Sequence, residues 1–177
     1  MNDYSEIHTA IAGYAGAYAK LADLQRENSL LPPGRQKTDC IGEFYAHVYL
    51  LKARPLAVVT PGGHSNKVWD FRVSDAGHDT LVQVKTVSGY SATRVLSPIH
   101  RGWHELFVVS LDRNFRPNGF WIVPAPDFEA GAYPLRGVRA PAPGGPGPVG
   151  PILDFSRDLY SKFMRAIPPG PDLLPEK

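Results

Sequence analysis

Lys67-Val68-Trp69-Asp70-Phe71-Arg72-Val73-Ser74, then Asp75-Ala76-Gly77-His78-Asp79, then Thr80-Leu81-Val82-Gln83-Val84-Lys85-Thr86-Val87-Ser88 decide how the chain folds. The two outer runs are rich in β-branched and aromatic residues, and the five residues between them are turn formers, so the stretch predicts a β-hairpin over 67–74 and 80–88. Side chains alternate along a strand, which sets Val82, Val84 and Thr86 on one side and Gln83, Lys85 and Val87 on the other. Asp70 is out of place between Trp69 and Phe71, because aspartate is disfavoured inside strands. A carboxylate there needs a partner, and Lys85 or a cation would serve.

Working outward, Thr38 or Asp39 can cap a helix running to about Lys52. Its buried stripe would be Ile41, Phe44, Tyr45, Val48 and Leu51, with Glu43 and a solvated His47 together on its flank. Leu56–Thr60 predicts a short strand and 61–66 a flexible turn; Glu105–Leu111 and Gly119–Val123 predict two more strands around a turn at 112–118. Residues 4–28 form an amphipathic helix with Ile7, Ile11, Tyr14, Tyr18 and Leu21 inward, ended by Leu31-Pro32-Pro33-Gly34. The alternative for this helix is a detached arm that docks on a partner subunit. Residues 134–151 are too rich in proline and glycine for a helix or a central strand. A last helix covers 155–167, with Leu159, Phe163 and Met164 as its apolar side, before a loose proline-rich tail. The expected fold is α/β, one domain over 1–177 with a central mixed sheet of about five strands flanked by helices.

Composition narrows the function classes. The hydrophobic fraction of 43% and charged fraction of 20% belong to a water-soluble globular chain, and no apolar run is long enough to span a bilayer. The first residues lack the pattern of a secretion signal, which makes cytoplasmic the expected location. Cys40 is the single cysteine, so no internal disulfide or cysteine zinc cage can form, and its place before an apolar helix start predicts a small buried residue. His100 and His104 are four apart but lack the accompanying glutamate of a zinc hydrolase. The net charge of +2 permits a nucleic-acid partner without demanding one.

Glu43 on a helix, Asp70 in one strand and Gln83-Val84-Lys85 in the next resemble the active-site pattern of the PD-(D/E)xK, or restriction-endonuclease-like, nuclease superfamily. The glutamine, where that superfamily usually has an acid, resembles the variant of Mrr-like restriction enzymes. The resemblance covers about the middle two-thirds of the chain. It implies a restriction-endonuclease-like core and a metal-dependent DNA endonuclease of restriction, defence or repair type. Glu43, Asp70, Gln83 and Lys85 would be its catalytic residues. Mg2+ or Mn2+ would be held by Glu43, Asp70, the Gln83 amide oxygen and the Val84 carbonyl. Magnesium needs only one or two protein carboxylates, since it keeps several waters. Lys85 would stabilise transition-state charge. Glutamine in place of an acid removes one negative charge, which implies weaker metal binding and favours manganese over magnesium.

The stretch 85–103 carries Lys85, Arg94, His100 and Arg101 and no acid. Arg94, His100 and Arg101 are therefore candidate substrate-binding residues, with Ser97-Pro98 opening a short helix whose amides could receive a phosphate. A solvated loop with scattered cations is the plainer reading. Tyr90 and Trp103 could stack on a base or could be packing. One such site cuts one strand, so a double-strand break would need a homodimer, two visits or a second enzyme. Two rival readings are an inactive nuclease-like module that binds nucleic acid or protein, and an interaction protein recruiting through its first helix and its Pro/Gly segment.

Overall fold

In a computed structural model, the structure describes residues 4–27, 38–63, 66–143 and 157–167. The elements in chain order are α1 (Tyr4–Glu27), α2 (Thr38–Ala53), β1 (Val58–Pro61), β2 (Phe71–Asp75), β3 (His78–Ser88), β4 (Glu105–Leu111), β5 (Pro117–Pro124), α3 (Ala125–Ala130), β6 (Arg157–Asp158) and α4 (Tyr160–Ala166). Among the described residues the strands lie in the order β1-β2-β3-β4-β5-β6, with β6 contributing Arg157 and Asp158. Every neighbouring pair is antiparallel except β3 and β4. That parallel pair requires a crossover, and residues 89–104 make it without a helix.

The alternating pattern explains why the sheet is covered on both faces. In β4, Phe107 and Val109 join Val82 and Val84 of β3 in a core shared with Ile11 and Ala15 of α1, Tyr45 and Val48 of α2, and Phe163 of α4. Leu106 and Val108 face the other way, into a second core with Leu96, Ile99, Trp103, Phe128 and Val138. A strand buried on both faces needs apolar residues at every position, which is what Leu106–Val109 supplies. Helices α1, α2 and α4 thus cover one face, while α3 and irregular chain cover the other.

Helix α2 meets β3 at Gly42. A Cβ built there would stand 1.9 Å from Thr86 Oγ1 and 2.9 Å from Thr86 Cβ, so only glycine permits this approach. At its far end the helix is held by Arg54, whose Nη2 donates to Glu105 Oε1 and Oε2 of β4 at 2.8 and 2.7 Å.

Several expectations need correction. The β2–β3 loop is only Ala76-Gly77, with φ of 47° and 82° and Asp75 paired to His78, the geometry of a type I′ turn. The buried side of α1 runs through His8, Ile11 and Ala15, while Ile7 is exposed, because His8 lies against the Phe44 and Tyr45 rings. Thr38 and Asp39 stand inside the first turn of α2 rather than before it. Cys40 is exposed, on the outer side of that turn. Ser97 and Pro98 lie in irregular chain, since the amides of Leu96 and Ile99 bond the Val138 and Leu135 carbonyls instead of starting a helix. The last helix begins at Tyr160, and Met164 on it is exposed. Helix α3, opened by Pro126 in its first turn, had no counterpart in the sequence reading. The predicted breaker at 31–34, the linker over 144–151 and the final tail lie outside the described residues. Among the described residues no helix is long and apolar enough to cross a membrane.

Gly42→Ala tests the close approach. Alanine would gain about 1 kcal/mol in helix propensity, but overpacking typically costs about 1–3 kcal/mol, and Thr86 sits on an immovable central strand. The expected outcome in urea melts is net destabilisation, partly relieved when Thr86→Ala is added to the same chain. A Gly42→Ala variant as stable as the parent would refute the constraint.

Candidate functional site

Strand β2 begins at Phe71, opposite Val82, and Asp70 lies just before it rather than within it. The Asp70 N–H nevertheless donates to the Val82 carbonyl at 2.8 Å, so two residues of one strand oppose one of the other, as in a β-bulge. The Asp70 carbonyl accepts from Gly62 N–H at 2.7 Å. A side chain at Gly62 would come within 2.8 Å of the Trp69 carbonyl, so glycine lets β1 close over this corner.

Beyond Val82 the edge of β3 has lost its partner strand. The Val84 N–H points at that edge and is taken by Asp70 Oδ2 at 2.6 Å. In an extended strand the C=O of a residue faces the same edge as its N–H, so the Val84 carbonyl is presented there as well.

A cleft of about 200 Å³ opens at this edge, lined by Asp39, Glu43, Asn66, Lys67, Asp70, Gln83, Val84, Lys85, Ser97 and His100. The structure therefore brings the motif residues Glu43, Asp70, Gln83, Val84 and Lys85 to one cleft, with His100 of the basic stretch beside them. Asp39 joins them as an acid that the sequence reading treated only as a helix cap. Its signal was the four-residue spacing to Glu43, which puts both on one face of α2.

Burial raises the Glu43 pKa to about 7, helped by the negative charges of Asp70 and Asp39 and opposed by Lys85. Asp70 is also raised by burial, against the lowering effects of the Val84 N–H and Lys85. Lys85 is lowered by burial, while Asp70, Asp39 and Glu43 pull it back up. Asp39, Glu43 and Asp70 line the cleft together with Lys67, Lys85 and His100, so both signs of charge meet there. Among the described residues no group of three His, Cys, Asp or Glu side chains is placed to hold a metal ion. The oxygen donors at the cleft, the Asp70 and Glu43 carboxylates and the Val84 carbonyl, are of the type and number that a hard cation keeping several waters takes from a protein, and they include no sulfur ligand.

Gln83 is buried, at 2% exposure, and its amide is committed. Nε2 donates to the Lys67 and Val68 carbonyls at 3.2 and 2.9 Å, and Oε1 accepts from His100 N–H at 3.3 Å.

Other candidates lie elsewhere. The Arg94 guanidinium bonds Ser110 Oγ at 3.2 Å and the Pro141 carbonyl at 2.5 Å, holding the 139–141 segment to the sheet and away from the cleft. Arg101 is exposed and does not line the cleft. Trp103 is a core aromatic, buried edge-on against Phe128, and Tyr90 is half-buried at the core's edge against Tyr18 and Phe115, so neither lines the cleft. His47 is half-buried beside Phe71 rather than solvated, and burial lowers its pKa. His104 Nδ1 accepts from Leu81 N–H at 2.9 Å, a structural role. Compared with known proteins, the chain matches no family model and no curated protein sequence.

The sign of the Glu43 shift predicts a pH effect. The unfolded chain loses this proton near 4.5 and the folded chain near 7. Over that window the folded state holds the extra proton, so the group's contribution to stability falls as pH rises and levels off above 7. Glu43→Gln is therefore expected to raise the melting temperature at pH 8 in EDTA, with the gain vanishing below pH 4.5. A constant difference across that range would show that Glu43 ionises normally.

Proposed function

We propose that the chain is a metal-dependent DNA endonuclease of the restriction-endonuclease-like kind, working in restriction, defence or repair. The observation that carries the reading is the meeting of Asp70, Glu43, Lys85 and the Val84 backbone in one cleft, at the point where β3 loses its neighbour. Asp70 and Glu43, with the Val84 carbonyl, would hold Mg2+ or Mn2+. Such an ion supplies Lewis-acid stabilisation of phosphate oxygens and a lowered pKa for the attacking water.

The chain's own groups divide the remaining work. Asp70 is fixed through its backbone to Gly62, just past β1, and to Val82 of β3, and through Oδ2 to Val84, so its other oxygen is presented in one place. Lys85 lies where an ammonium can donate to the non-bridging oxygens as they gain charge. His100 on the rim, with the exposed Arg101 next to it, would steer the DNA backbone. One cleft cuts one strand, so double-strand cleavage would proceed through a homodimer or sequential nicks.

A second reading, an inactive nuclease-fold module that binds nucleic acid or a protein partner, draws on the full engagement of Gln83 and on the finding that, among the described residues, the acids of the cleft are not grouped in threes to hold a metal.

Plasmid nicking separates them. With Mg2+ or Mn2+ the protein should relax supercoiled DNA, faster in manganese and not at all in EDTA. Asp70→Ala and Lys85→Ala, with folding checked by circular dichroism, should each lower the rate on the order of 10²–10³-fold. A wild-type protein inert on both modified and unmodified DNA would leave the binding module as the reading.

A further inference from the structure

We propose that Gln83 is a positioning brace rather than a metal ligand, and that it fixes the spacing of Lys67 and His100, two side chains that receive backbone phosphates of DNA on either side of the acids. The phosphate role rests on the nuclease-fold reading above; the brace does not.

The Gln83 side chain bonds both rims of the cleft. Its amide group donates to the Lys67 and Val68 carbonyls on one rim, and its oxygen accepts from the His100 N–H on the other. Only one amide orientation satisfies all three, because carbonyls require the NH2 and an N–H requires the oxygen. The two rims also touch at Val68 and Gly102: a Cβ at Gly102, where φ is 106°, would stand 2.8 Å from Val68 Cγ1. On the first rim Asn66 Oδ1 further accepts from Val68 and Trp69 N–H, which ties the backbone on either side of Lys67 together. Lys67 and His100 are both exposed at the mouth while their backbones are tied to the same buried amide.

A glutamate could not replace this glutamine. An ionised carboxylate has no donor for the Lys67 and Val68 carbonyls, and it would face two acceptor oxygens at about 3 Å in a buried place. The substitution that would restore the usual acid of the resembled motif should therefore damage the cleft.

The test uses the full chain, wild type and Gln83→Glu, with Mn2+ alone as the calorimetric probe. The brace predicts that Gln83→Glu binds Mn2+ no more tightly, exchanges its Val68 and Trp69 amides faster than wild type while β4 amides are unchanged, and melts earlier. Mn2+ affinity raised about tenfold or more would overturn it, since an added acidic ligand does that. If Gln83→Glu does not fold, wild type decides: the His100 amide keeps its exchange protection when Mg2+ is added under the brace and loses it if the Gln83 oxygen turns to the ion. For the phosphate role, Lys67→Ala should weaken DNA binding in EDTA and reduce its salt slope by about one. An unchanged slope would remove Lys67 from the DNA path. Loss of nicking activity as a whole, with the exchange and Mn2+ results as expected, would sink the nuclease reading and leave the brace standing.

Discussion

The close approach of α2 to β3 at Gly42 governs the rest of the structure. With no side chain between them, the helix backbone rests on Thr86 of a central strand. That contact sets the depth at which Tyr45, Val48 and Tyr49 enter the core and delivers the adjacent Glu43 to the cleft. A larger residue would lift the first turns of the helix, and Asp39 and Glu43 with them. The Arg54–Glu105 pair fixes the other end of the helix, but as a partly exposed ion pair it contributes modestly. Packing, not charge, positions the acids.

The cleft is a gap in the sheet rather than a hollow in the core. Strand β2 stops one residue short of continuing its ladder, and the Asp70 side chain takes the hydrogen bond that a strand would have made to Val84. This satisfies a buried N–H while leaving a carboxylate facing outward. The cost is electrostatic: burial opposes the charged forms of Glu43, Asp70 and Lys85 alike. A fold that tolerates three such groups in one cleft is spending stability there, a pattern associated with functional sites.

Much of this was legible beforehand. The alternation of β3 and the apolar stripe of α2 are local patterns, and each maps onto its element within a few residues. Asp70 stood out because it contradicts its surroundings, and that contradiction located the cleft. Other residues were misread for physical reasons. Gln83 and Arg94 are polar, and polarity suggested solvent or ligand; each instead bonds backbone carbonyls far away in sequence. Ile7 and His8 differ by one helical step, and only the facing rings of Phe44 and Tyr45 choose between them. Ser97-Pro98 has the local chemistry of a helix start, yet its neighbours' amides find partners in 135–138.

The sequence by itself determined the α/β class, the hairpin, the helix carrying Glu43 and the identity of most residues in the cleft, because periodicity and turn chemistry act over a few residues. Tertiary structure alone decided that Asp70 caps the open edge of β3, that Asp39 shares the cleft, and that Gln83 joins its two rims. Each of those depends on where a strand ends or how closely a helix approaches, and such distances are set by contacts between segments that no local pattern encodes.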